Sequence, residues 1–266
     1  RVVEEMTEWS SRPLASHYVA VFVDAIHVKV RDGQVANRPF YAAIGVDLRG
    51  RRDVLGLWAG TPGHGESAKF WLGILTELKN RGVVDIFYLV CDGLKGMPDS
   101  VGVVFPNTVV QTCIIHLIRN TFKYASKRYW GELAKDVKDI YTAPNAKAAW
   151  AAFESLEEKW GKTYPAIPKL WRNAWEQFIP FLDYDIEIRR VLCSTNAIES
   201  LNARYRRAVD ARGHFPSENA ALKTLYLTTR SLDPKGTGQQ RWMTRWKPVL
   251  NVLAIVFADR MPTANL

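Results

Sequence analysis

The 266-residue chain predicts an α/β fold: a mixed sheet of three antiparallel strands extended by two parallel ones, with an all-helical stretch before a late, acid-bearing helix. Three observations predict it. Between Tyr18 and Ala59, apolar segments alternate in parity and are separated by the turn signals Asp32-Gly33 and Arg49-Gly50. A run at helical spacing, Phe70, Trp71, Ile74, Leu75 and Leu78, leads to the almost wholly apolar Ile86 to Cys91. From Ile114 to residue 188 the pattern is helical and punctuated by Pro144, Pro165, Pro168 and Pro180.

Taken in order, residues 1–17 are polar, with Ser10, Ser11 and Pro13, and predict a helix end followed by a linker. From Val19 to Arg31, Ile26, Val28 and Val30 share one parity and His27, Lys29 and Arg31 the other, as a half-solvated strand requires. Asp24 falls on the apolar parity, and a carboxylate on a buried face is costly unless paired, hydrogen-bonded or bound to metal. Pro39 to Asp47 and Val54 to Ala59 complete an antiparallel meander. The helix that follows closes at Asn80-Arg81-Gly82 and forms a crossover to a new parallel strand. That strand, Ile86 to Cys91, is apolar at every position, as a strand buried on both faces should be, and it sets Asp92 at its carboxyl end. Ligands collect beyond the carboxyl ends of such strands, although Asp-Gly is also a common turn. Thr108 to Cys113 supplies a fifth strand and runs into a helix near Ile114. This order is the ribonuclease-H-like arrangement, in which the first and fourth strands lie side by side. The predicted division is 18–113 for the first part of the core, 114–188 for a helical insertion and 189–266 for the closing helices.

A net charge of +9 with 47% hydrophobic residues describes a chain that folds and seeks a polyanion. Cys91, Cys113 and Cys193 are odd in number and far apart, which argues against a disulfide framework or a zinc ribbon and for a reducing, intracellular setting. The longest apolar segment, Pro248 to Ala258, is too short to span a bilayer. Arg119, Lys123, Lys127 and Arg128 begin a basic helical stretch interleaved with Tyr124, Tyr129 and Trp130. It reads equally well as a solvated face or as a phosphate-contacting one. A further helix opens at Asn196, with Glu199 three residues on as in a capping box. Its apolar stripe is Ile198, Leu201, Tyr205 and Ala208; Asn196, Glu199, Asn202 and Arg206 recur on another face, and Arg204, Arg206, Arg207 and Arg212 form a second basic run.

Five segments in order, VDAIHVKVRDG (23–33), GVDLRGRRDVLGLW (45–58), DGLKGMP (92–98), FPNTVVQTCIIHLIRN (105–120) and STNAIESLNARYR (194–206) followed by HFPSENAALK, resemble the Mutator-type bacterial insertion-sequence transposases. The resemblance covers nearly the whole chain from about Glu8. It implies a ribonuclease-H-like core with an Asp-Asp-Glu triad, interrupted by a helical insertion before the Glu. Matched residue by residue, the triad falls on Asp24, Asp92 and Glu199, and the family's Cys/Asp-x-x-His signature on Cys113 and His116. Where many relatives have Tyr-Thr-Thr-Asn, this chain has Cys193-Ser194-Thr195-Asn196. It carries little of the family's upstream end-binding region, so it is expected to bind DNA without strong sequence preference.

The implied chemistry is phosphoryl transfer at two Mg²⁺ ions, or Mn²⁺, held by Asp24, Asp92 and Glu199. Cys113, His116 and Asn196 are expected to support the site, His116 by orienting it or touching a phosphate and Cys113 by packing at the strand end. Arg119, Lys123, Lys127, Arg128, Arg204, Arg206 and Arg207 are expected to contact DNA. His27, His64 and His214 read as surface or loop residues. The implied partners are element ends, target DNA and further copies of the chain on DNA, in a bacterial cytoplasm and away from membranes. Two other readings stay open: a ribonuclease-H-like nuclease without strand transfer, and a truncated or domesticated transposase acting as a DNA-binding regulator.

Overall fold

The computed structural model describes residues 2–61, 67–193, 196–233 and 243–262. The chain divides into two compact units. The first comprises Arg1–Val90, Leu94–Val110 and Asn196–Leu266, and the second Cys91–Gly93 and Gln111–Thr195.

In the first unit, helix α1 (Val2–Ser11) precedes the long antiparallel pair β1 (His17–Asp32) and β2 (Gln34–Asp47), followed by β3 (Arg52–Ala59). The segment between α1 and β1 is fastened to the core. Arg12 donates to both oxygens of Asp53 at 2.9 Å and to the Val54 carbonyl at 2.7 Å. The backbone N–H of Leu14 donates to the Arg81 carbonyl at 2.8 Å.

The parity read from the sequence holds along β1: Ile26, Val28 and Val30 are buried, while His27, Lys29 and Arg31 are exposed. The hairpin is longer than its apolar pattern predicted. Pairing runs out to Asp32↔Gln34, with Gly33 at a φ of +71° making the turn, so β2 begins at Gln34 and not at Pro39. Residues 34–37, Gln-Val-Ala-Asn, are exposed and mark no buried face, yet their backbone ladder continues.

Helix α2 (Ala68–Asn80) starts at Ser67, whose hydroxyl accepts from the Phe70 N–H at 3.2 Å, and buries Trp71, Ile74, Leu75 and Leu78. It leads into β4 (Asp85–Cys91), in which Ile86 onward is buried on both faces as predicted. Helix α3 (Met97–Val104) then precedes β5 (Val109–Thr112). The five strands form one mixed sheet in the order β3-β2-β1-β4-β5. Strand β5 ends at Thr112, one residue short of the expected Cys113.

From Ile114 on, the second unit carries α4 (Ile114–Lys123), α5 (Trp130–Tyr141), α6 (Ala146–Trp160), α7 (Ala166–Phe178) and α8 (Ile186–Cys193). Asn145 caps α6 by accepting from the Ala148 N–H at 2.9 Å. Pro144 and Pro165 stand at helix boundaries as expected, whereas Pro168 lies in the first turn of α7, where a missing N–H costs little. Trp171 ties α7 to α4, its indole N–H donating to the Thr121 hydroxyl at 2.9 Å with both side chains buried.

The first unit closes with α9 (Asn196–Asp210), α10 (Glu218–Leu232) and α11 (Met243–Val256). Phe215, just past α9, is clamped to β1 by Arg31 N–H to Phe215 O and Phe215 N–H to Lys29 O, both 2.8 Å. This clamp and the buried Ile198, Leu201, Tyr205 and Val209 lay α9 against the first unit's core. Val209 takes the stripe position expected of Ala208, which is only half-buried. Among the described residues no helix is long and apolar enough to cross a membrane.

Candidate active site

Asp24 lies midway along β1, paired with Ala42 of β2, and is 7% exposed. One carboxylate oxygen accepts from the Ala25 N–H at 2.8 Å, and the other accepts from the side-chain amide of Asn202. Asn202 belongs to α9 and is 1% exposed. Glu199 is half-buried on the same helix, three residues earlier and so close to the same face. Thus a short polar seam crosses the otherwise apolar contact of α9 with β1. Tyr205 continues α9's buried stripe, its hydroxyl 2.7 Å from that of Thr229; burial pushes the phenol well above its ordinary range. Arg52, also buried, is shifted below the usual guanidinium range by desolvation, with Arg204 adding to the shift and Tyr205 opposing it.

Asp92 belongs to the second unit. It stands just past β4, followed by Gly93 at a φ of +53°, and its side chain is 36% exposed. His116, at the third residue of α4, places Nδ1 4.0 Å from Asp92 Oδ2. That is beyond hydrogen-bond reach but near enough for attraction once the ring is protonated. Cys113 is buried at the residue before α4, and its N–H donates to the Cys91 carbonyl at 2.8 Å. This bond fixes the start of α4, and with it the approach of His116, relative to the end of β4. One strand end and one helix start thus set His116 beside Asp92.

Of the residues expected to contact DNA, Arg119, Lys123, Lys127 and Arg128 are all exposed on the second unit. Lys127 lies 5.9 Å from the Trp130 ring and Arg128 4.3 Å from the Tyr129 ring, so cation and aromatic surface are presented together. Arg204, Arg206 and Arg207 are exposed on α9. His27 and His214 are exposed as expected, and His64 lies outside the described residues. So does the side chain of Asn196, and with it the expected capping box and the supporting role given to Asn196.

The structure thus brings Asn202 onto Asp24 and His116 towards Asp92. Among the described residues, no group of three or more His, Cys, Asp or Glu side chains is gathered closely enough to hold a metal ion. Asp24, Asp92 and Glu199 nevertheless offer carboxylate oxygens only, the donor type that Mg²⁺ and Mn²⁺ prefer. A cavity of about 830 Å³ in the first unit, lined by Trp9, Trp58, Leu72 and Tyr226 among others, includes none of the predicted site residues. Asn202, which the sequence placed on the Glu199 face of this helix but to which no role was given, is the residue that meets Asp24. Its signal was an amide directly after an apolar Leu and three residues past Glu199.

A family model described as "Transposase, Mutator family" matches residues 1–236. The chain is 41% identical over 277 residues to a protein of Corynebacterium diphtheriae named "Probable transposase for insertion sequence element", covering 97% of this chain and 80% of that one. It is 44% identical over 261 residues to the "Transposase for insertion sequence element ISRM3" of Rhizobium meliloti, covering 97% of this chain and 64% of the relative. A more distant relative, 26% identical over 222 residues, is the "Transposase for insertion sequence element IS1081" of Mycobacterium tuberculosis. The chain spans less than two thirds of the rhizobial and mycobacterial relatives' length.

Proposed function

The chain belongs to the Mutator family of transposases, and from that premise we propose that it is the catalytic core of an insertion-sequence transposase, cutting DNA strands and joining the freed 3′-hydroxyl to a target. In this reading the fold is ribonuclease-H-like, residues 18–113 begin its core, 114–188 are a helical insertion and 189–266 complete the core with α9. Asp24, Asp92 and Glu199 are the acidic triad and would hold two divalent ions. Mg²⁺ would supply charge neutralisation at the scissile phosphate and a more acidic attacking hydroxyl.

The chain's own residues do the rest. Asp24 sits in a rigid strand, and a ligand fixed by packing on both sides loses little entropy when an ion binds. Glu199 rides on a helix already joined to that strand through Asn202. His116 approaches Asp92 at 4.0 Å and would orient that carboxylate or meet a phosphate oxygen. The exposed Arg119, Lys123, Lys127, Arg128, Arg204, Arg206 and Arg207 would neutralise the DNA backbone, holding it in register without reading bases. The DNA partners, element ends and target, and self-association on DNA follow from this reading, as does work in a bacterial cytoplasm.

The observation that carries the proposal is the buried carboxylate of Asp24, held by the same helix that bears Glu199, in a chain of this family. The test is a strand-cleavage and joining assay with Mg²⁺, using an oligonucleotide with a free 3′-hydroxyl and plasmid target. Joined product that disappears in Asp24→Asn, Asp92→Asn and Glu199→Gln is the expected result. Cleavage without joining would favour a nuclease, and DNA binding with neither reaction would favour a regulator.

A further inference from the structure

Asn202 is more deeply buried than either acid of its unit, and its two polar atoms have different fates. Its amide nitrogen donates to Asp24 Oδ2. That bond fixes the sense of the amide, because a carboxylate only accepts. The other atom, Oδ1, is buried and meets no hydrogen-bond donor among the described residues. Folded proteins pair nearly all such acceptors, and an exception asks for a ligand, a water or an ion. The orphaned oxygen belongs to the side chain that already grips a proposed metal ligand.

We infer that Asn202 is a positioning residue for the metal site at Asp24: its Nδ2 holds the Asp24 carboxylate in one orientation, and its Oδ1 offers a neutral oxygen acceptor to the hydrated ion. The inference rests on the assignment of Asp24 as a metal ligand and adds a residue and a role to it. An amide is the side chain that suits both tasks. A carboxylate at 202 would set like charge against Asp24 in a buried place, and an aliphatic group would neither orient nor accept. Mg²⁺ keeps several of its waters when protein-bound, so an acceptor beside the ligating carboxylate is useful to it. Residues that hold a ligand in place commonly matter 10–100-fold in metal affinity.

The experiment follows thermal unfolding of the full chain against Mn²⁺ concentration, without DNA, for wild type, Asn202→Ala, Asn202→Leu and Asp24→Asn. The wild-type melting temperature is expected to rise with Mn²⁺. Both Asn202 variants should need roughly 10–100 times more Mn²⁺ for half of that rise, and Asp24→Asn should show none. Leu shares the branching and heavy-atom count of Asn, though it is bulkier, and gives a second comparison if the Ala variant does not fold. If Asn202 only ties α9 to β1, its variants will melt lower without metal but keep the wild-type Mn²⁺ midpoint, and the inference is overturned. Asp24→Asn retaining the full rise, or a wild type showing no rise, would instead remove Asp24 as a ligand and take the inference with it.

Discussion

Replacing Asp24 by Asn should abolish strand cleavage and joining while leaving the fold intact, and the hydrogen bonds around the residue explain why. Asp24 accepts from the Ala25 N–H and from the Asn202 amide. An Asn at 24 has one accepting oxygen and one donating nitrogen, so with its neighbour unmoved one buried donor loses its partner, at a cost of about 1–3 kcal/mol. Asn202 can avoid that cost by turning its amide over. Its Oδ1, which meets no donor among the described residues, would then accept from the new nitrogen, while the Ala25 N–H keeps its acceptor. After the flip one atom of Asn202 is unsatisfied, as before, and a buried charge has gone, so the expected change in stability is within about 1 kcal/mol, or roughly 2–4 °C in Tm for a chain of this size. Asp24→Ala has no such escape. It strands both donors and opens space, and should cost about 2–4 kcal/mol more than Asp24→Asn. The assay pairs urea unfolding of both variants with the cleavage and joining reaction. Retained Mg²⁺-dependent joining in Asp24→Asn would refute the catalytic assignment. A loss of stability in Asp24→Asn as large as in Asp24→Ala would refute the flip.

Glu199→Gln keeps size, removes the charge and turns one accepting oxygen into a donating amide; because the side chain is only half-buried, its Tm should stay close to wild type while cleavage and joining fall to background, and unimpaired turnover would leave Glu199 with no more than a structural role. Neutralising Arg119, Lys123, Lys127 and Arg128 together should weaken binding to any DNA duplex alike and flatten the plot of log affinity against log salt by about 0.9 for each phosphate no longer neutralised. Filter binding at several salt concentrations reads that slope, and an unchanged one would make these four cations a merely solvated face. Arg260 reaches both oxygens of Asp85 at 2.9 and 2.8 Å and the Ile86 carbonyl at 3.0 Å, with Phe87 and Phe257 each 4.9 Å away. Arg260→Ala should therefore cost about 2–4 kcal/mol in urea unfolding, because a largely buried carboxylate is left behind; a cost under about 1 kcal/mol would place this pair with ordinary surface ion pairs.

What could be read from the chain beforehand divides along a physical line. The alternation in β1, the apolar run of β4 and the helical stripes of α2 and α9 are local consequences of one buried face, and a face writes its period into consecutive residues. The outer arms of the β1–β2 hairpin escaped because residues 34–37 are exposed while their pairing rests on backbone groups, which every sequence supplies. Pro168 misled for a related reason: it ends a helix only from the second turn onward, and it stands in the first turn of α7.

The site shows the same limit more sharply. That Asp24 faces the core was legible from its parity with Ile26, Val28 and Val30. That its partner is Asn202, 178 residues away, was not, because no local pattern distinguishes an Asn on a solvated helix face from one buried in the seam. Both lie at helical spacing from Glu199, and only the rotation of α9 decides between them. That rotation is set by Leu201 and Tyr205 filling the core and by Phe215 clamping the helix end to β1. The apolar residues of α9 thus choose which polar ones are buried, and the amide brought to Asp24 is a consequence of where Leu and Tyr must go.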